Sequence, residues 1–110
     1  MKHHRLEDFY RGWIVGKFEP SLLQADFEVG IAHHHAGEPH GDHFHKLSTE
    51  INVVISGTVK INDRVFNSGD IFVLEPWEVS QAEFITDCVI VIVRDRSIPG
   101  DKFEFSIRGE

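Results

Sequence analysis

Apolar residues in this chain come in short alternating runs cut by Gly, Pro, Asn and Asp, and no stretch sustains a helical period. Residues 13–18 (W-I-V-G-K-F) are rich in β-formers and are broken by Glu19-Pro20-Ser21. Residues 26–35 alternate, and residues 58–61 and 65–66 face each other across Asn62-Asp63, a hairpin signal. Asn67-Ser68-Gly69-Asp70 turns the chain again before the apolar run 71–74. Residues 79–84 and 88–94 follow, and Phe103, Phe105 and Ile107 alternate as in a final edge strand. Many short strands at this spacing predict an all-β sandwich or barrel. No internal repeat is present, so residues 1–110 are expected to form a single domain. Residues 1–11 form a polar amino-terminal extension with Leu6, Phe9 and Tyr10 as docking points.

Strand periodicity assigns faces. In 26–35, Phe27, Val29, Ile31, His33 and His35 share one side; Asp26, Glu28, Gly30, Ala32 and His34 share the other. The apolar side is expected to look inward, which carries His33 and His35 toward the interior and makes them candidate catalytic bases. The competing reading is a strand end with both histidines in solvent. In 79–84 the same rule turns Ser80 inward and Gln81 outward, unless a bulge near Trp77 reverses them. Cys88 opens an apolar strand and reads as a small core residue.

Residues 37–57 hold the densest set of metal-ligand types: His43 and His45 two residues apart, then Glu50, then Gly57. Imidazole and carboxylate suit borderline first-row metals. His43 and His45 leave a strand on one face, but Glu50 has the opposite parity and joins them only if the chain turns at residues 46–49. His40 lies in the preceding loop, as a rim residue or spare ligand.

The spacing Gly37, His43, His45, Glu50, Gly57 resembles the first signature motif of the cupins, in its germin-like form with four residues before the glutamate. The resemblance implies a double-stranded β-helix, or jelly-roll barrel, with His43, His45 and Glu50 as metal ligands. Cupins carry a second motif whose histidine is the usual fourth ligand. Gly69-Asp70 opens that motif, but no histidine follows: an ungapped count reaches Ser80, and anchoring on Pro76 reaches Gln81. Gln81, through its amide oxygen, is the weak fourth-ligand candidate. Ser80 and Trp77 are expected to contact a ligand in the barrel. Two histidines and one carboxylate resemble the facial triad of open iron sites.

The resemblance implies a metal-binding cupin with Mn, Fe, Ni or Zn, acting as an isomerase, epimerase or oxygenase on a small polar metabolite. Two other readings stand beside it. One is a non-catalytic module that binds a small ligand such as a carbohydrate, with Trp77 against the sugar. The other is a metal-free sugar isomerase or epimerase with a histidine base. An enzyme needs a proton-transfer group besides its ligands, and His33, His35 and Tyr10 are the candidates. Eleven basic against eighteen acidic residues give a net charge of −7 with no basic stripe, which argues against nucleic acid and anionic membranes as partners. The longest apolar run is too short to span a bilayer, and residues 2–11 do not form a secretory signal. A cytoplasmic protein is expected, as a homodimer that uses Phe9, Tyr10 and Trp13.

Overall fold

The computed structural model describes residues 1–105, so Ile107 lies outside the described residues. Two short 3-10 turns, Leu6–Asp8 and Tyr10–Gly12, lead into ten strands: β1 (Trp13–Val15), β2 (Glu28–His34), β3 (His43–Phe44), β4 (Glu50–Ser56), β5 (Thr58–Ile61), β6 (Arg64–Asn67), β7 (Ile71–Leu74), β8 (Ala82–Phe84), β9 (Cys88–Arg94) and β10 (Phe103–Glu104). All pair antiparallel. One sheet has the order β1-β2-β9-β4-β7; the opposing wall comprises β6-β5-β8 and β10-β3. A bridge between His43 and Ser80 joins its two parts. Among the described residues, no helix is long and apolar enough to cross a membrane.

The core lies at one end of the barrel, where Val54, Val59, Ile61, Phe72, Leu74, Phe84, Cys88 and Ile90 are buried together. Cys88 is thus a packing residue, as expected. Gly57 closes this end. Its φ of +91° suits glycine, and a Cβ there would stand 2.1 Å from the Asp87 carbonyl oxygen, so the tight link between β4 and β5 excludes any side chain.

The face assignment for β2 is the reverse of expectation. Glu28 and Gly30 are buried, whereas Phe27 is exposed. His33 is exposed and level with Val89 on the outer side of the sheet; His35 is exposed, with its ring 4.0 Å from Asp87. The rule that apolar side chains face inward fails here because this part of the interior is polar. Glu28 is paired with Arg94 and Ser97, the Trp13 ring occupies the space a side chain at Gly30 would fill, and His34 stacks on Phe84 at 3.9 Å. Trp13 therefore points into the barrel, and Phe9 is buried as well. Of the three aromatics expected at an interface, Tyr10 is the exposed one.

Candidate metal centre

Between the two walls lies an open cavity of about 1150 Å³, lined by His43, Glu50, Asn52, Ser80 and Arg94 and closed on one side by residues 5–13. His43, His45 and Glu50 are all buried, and one ligand atom from each lies within 4.8 Å of the others. The parity problem at Glu50 is solved by a tight turn. The Asp101 carboxylate accepts hydrogen bonds from the backbone N–H groups of Lys46 (2.8 Å), Leu47 (3.2 Å) and Ser48 (3.0 Å) and from the Ser48 hydroxyl (2.9 Å). These bonds hold the Asp101 carboxyl below the usual carboxylate range, although burial works against them. They also fix the reversal that brings Glu50 to the face of His43 and His45.

The hydrogen bonds settle which imidazole nitrogens are free. His45 Nδ1–H donates to the Asp101 carbonyl oxygen, which can only accept. His45 Nε2 then carries a lone pair. It is buried, has no hydrogen-bond partner, and lies 3.1 Å from Glu50 Oε2. Two acceptors face each other there, an arrangement that calls for a positive centre between them, a proton or a metal ion. His43 Nδ1 lies 3.4 Å from the Gly41 carbonyl oxygen, which again leaves Nε2 as the free nitrogen. Burial pushes His43 down to about 4 despite the attraction of Glu50, so the ring is neutral at pH 7 and able to ligate.

Glu50 is embedded in a polar network. Its Oε1 accepts from Asn52 Nδ2 at 3.2 Å and its Oε2 from Arg94 Nε at 3.1 Å. Arg94 Nη1 reaches Glu28 Oε1 at 3.2 Å, the Ser97 hydroxyl donates to Glu28 Oε2 at 2.9 Å, and the guanidinium lies 4.7 Å from the Trp13 ring centre. Burial alone would raise Glu50, but His45 and Arg94 beside it hold the carboxyl at about 2. The site thus presents the neutral His43 ring, the buried His45 Nε2 and one carboxylate partly neutralised by a fixed arginine.

The other candidates divide. Ser80 is buried and lines the cavity, with its backbone N–H donating to the His43 carbonyl at 2.7 Å. Gln81 is exposed and donates to Asp42 at 3.3 Å, so its amide points away from the ligand cluster; the chain keeps strict strand alternation here. Trp77 is exposed and outside the cavity. Its backbone N–H donates to the His45 carbonyl at 2.6 Å, and its ring stacks on Phe44 beneath Lys46. His33 also borders the cavity although the residue is exposed, and His35 does not line it. His34 and His40 do line it. Their rings are 5.6 Å apart, His34 is held by Glu38 at 3.3 Å, and the His40 ring lies 5.5 Å from that of His43. Burial pushes His40 down, with His34 and Lys102 adding to the effect.

No family model matches the chain, and no curated protein matches it in sequence. Solved structures do. A conserved double-stranded β-helix protein from Klebsiella pneumoniae superposes over 94% of this chain and 90% of its own, with 22% identity and a TM-score of 0.68. KdgF from Halomonas sp. covers 69% of this chain and 74% of its own at 18% identity (TM-score 0.61). The oxalate decarboxylase of Lactobacillus farciminis matches 73% of this chain with 27% of its own length, at 18% identity (TM-score 0.62). The fold of this chain is therefore the double-stranded β-helix of the cupins.

Proposed function

We propose that the cavity is a metal-dependent site for a small polar metabolite, with a divalent Mn, Fe, Ni or Zn ion held by His43 Nε2, His45 Nε2 and a Glu50 oxygen. The observation that carries this reading is the buried His45 Nε2, without a partner and aimed at the Glu50 carboxylate. Such an ion supplies Lewis acidity toward a carbonyl or hydroxyl oxygen, or binds dioxygen, at positions that three protein ligands leave open. Ser80 offers a hydroxyl to the substrate on that side, and His34 and His40 offer imidazoles for proton transfer near the mouth. The solved relatives that include a decarboxylase and a salicylate 1,2-dioxygenase support an enzyme of this general kind by analogy of fold alone.

A second reading, a metal-free binding or isomerase cupin, draws on Arg94, which already offsets the Glu50 charge and weakens its pull on a cation. Thermal denaturation separates the two. Manganese, iron(II), nickel or zinc should raise the melting temperature at pH 7.5 and much less at pH 5.5, by the stabilisation of about 2.7 kcal/mol expected at a hundredfold excess over Kd. His45→Ala should remove most of the rise. If replacing His33, His34 and His35 by Ala removes it while His45→Ala does not, the ion binds elsewhere and the metal-free reading takes over.

A further inference from the structure

Four cations line the cavity, and three of them are engaged. Arg94 is tied to Glu28 and Glu50, Arg5 to Glu7, and the Arg11 guanidinium lies against the Tyr10 ring. The fourth is Lys102, whose side chain has no ion pair and no hydrogen bond among the described residues. Register explains its place. β10 sets Glu104 level with His43 and Phe103 level with Phe44. Phe103 stacks on Phe44 at 5.5 Å, and neither ring lines the cavity, whereas Glu104 and, two residues earlier, Lys102 do. Lys102 also follows directly on Asp101, whose carbonyl oxygen accepts from His45. Its ammonium is close enough to help push His40 and His43 down.

Two hydrogen-bond acceptors share this part of the cavity. His34 Nδ1 faces the Glu38 carboxylate at 3.3 Å, and His40 Nδ1 faces the Gly41 carbonyl oxygen at 3.2 Å. Each neutral ring therefore keeps its Nε2 lone pair free, ready to accept from a hydroxyl. The acids of the lining are mostly spoken for: Glu7 by Arg5, Glu38 by His34 and the His35 N–H. Glu104 is exposed, has no fixed partner among the described residues, and disfavours a second negative group beside it. Deeper in, Glu28 and Glu50 share the one guanidinium of Arg94, which leaves a single negative charge. A divalent ion beside Glu50 turns that into a single positive one. With Lys102 added, the loaded cavity calls for an anion.

We infer that the substrate is a small hydroxy acid, whose carboxylate pairs with Lys102 while its hydroxyls reach the ion and the Nε2 atoms of His34 and His40. The inference rests on the metal-site reading above and adds the substrate class to it. A carboxylic acid suits the place better than a phosphate ester, because a lone ammonium with Glu104 nearby matches one negative charge and not close to two.

Calorimetry on the nickel-loaded full chain at pH 7.5 and fixed ionic strength tests this, with gluconate, sorbitol, hexanoate and inorganic phosphate as probes. Gluconate should bind. Sorbitol, which lacks the charge, and hexanoate, which lacks the hydroxyls, should each bind about tenfold more weakly or worse. Lys102→Met should weaken gluconate by about tenfold or more, and Lys102→Arg should keep most of the affinity. Lys60→Met, which removes a lysine paired with Asp63 on another strand, should change nothing. Nickel affinity should be equal or higher in Lys102→Met, because the lysine is not a ligand and its charge opposes the ion. The nickel titration separates the two claims. If the wild type takes up no nickel, the metal reading fails, and gluconate is titrated against the metal-free chain: binding that needs Lys102 sustains the acid site, and no such binding removes it. Gluconate binding that survives Lys102→Met, or that Lys60→Met weakens equally, overturns the inference. So does sorbitol or hexanoate binding as tightly as gluconate, or phosphate binding more tightly.

Discussion

Metal-free protein should lose stability between pH 6.5 and 4, and His43 should account for a defined part of the loss. An unfolded histidine takes up its proton near pH 6.5. In the fold, burial holds His43 down to about 4. Between those values the unfolded chain binds one more proton at this position than the native one, so stability rises with pH across the window and falls on acidification. At about 1.4 kcal/mol per unit, the full difference is roughly 3 kcal/mol. The ring borders an open cavity, and water there screens part of the effect, so ~2 kcal/mol is the working figure. Against a total stability of about 5–15 kcal/mol, that is measurable by urea denaturation in the presence of a chelator. His40 is displaced in the same direction and contributes in the same region, so the comparison must be with His43→Gln rather than with a flat line. The variant should show a shallower decline from pH 6.5 to 4.5, by about 2 kcal/mol in total. Glu50, held at about 2, acts in a lower window: its contribution is complete above its unfolded value near 4.5 and disappears as pH falls toward 2. Parallel curves for wild type and His43→Gln down to pH 4.5 would refute the claim that the cavity keeps this ring neutral.

Two further outcomes test how the site is built. Asp101→Ala should cost about 2–4 kcal/mol in urea denaturation, since it strands the three N–H groups of the Lys46–Ser48 turn, and it should weaken metal binding by misplacing Glu50 against His45; a cost under ~0.5 kcal/mol would show that the turn holds itself. Ser80→His should raise metal affinity by about tenfold or more in a competition titration, because position 80 is buried beside His43, while Gln81→His should not; the opposite pattern would mean that residue 81, not 80, faces the cluster.

What the sequence disclosed about this molecule was local. His43, His45, Glu50 and Gly57 lie within one turn and two strands, so residue types and spacing suffice to bring them together. The inward placement of Ser80 followed from strand alternation for the same reason. What held the turn in place was not legible, because Asp101 lies 53 positions from Ser48 and no periodicity links them. Apolarity assigns the faces of β2 wrongly for a more instructive reason. Assigning sides by apolarity assumes an oily interior and a wet exterior. Here Arg94 and Glu28 face each other across paired strands, at register partners that only tertiary structure creates, and together they make a charged interior tolerable.

Once Glu28, Gly30 and His34 turn inward, alternation forces Val29 and Ile31 outward, and the same register sends Ile51, Val53, Val91 and Val93 with them. The polar cavity and the apolar outer face are thus two sides of one choice of register. The interior pairing of Arg94 with Glu28 and Glu50 sets which side chains the sheet exposes. The link is testable in one protein: Arg94→Met leaves two buried carboxylates without their cation and should cost about 3–5 kcal/mol in urea denaturation at pH 7. Restoring neutrality with Glu28→Gln in the same chain should recover a clear part of that loss. If the double variant is no more stable than Arg94→Met alone, the Glu28 charge is not what Arg94 offsets, and the account of the inverted strand fails.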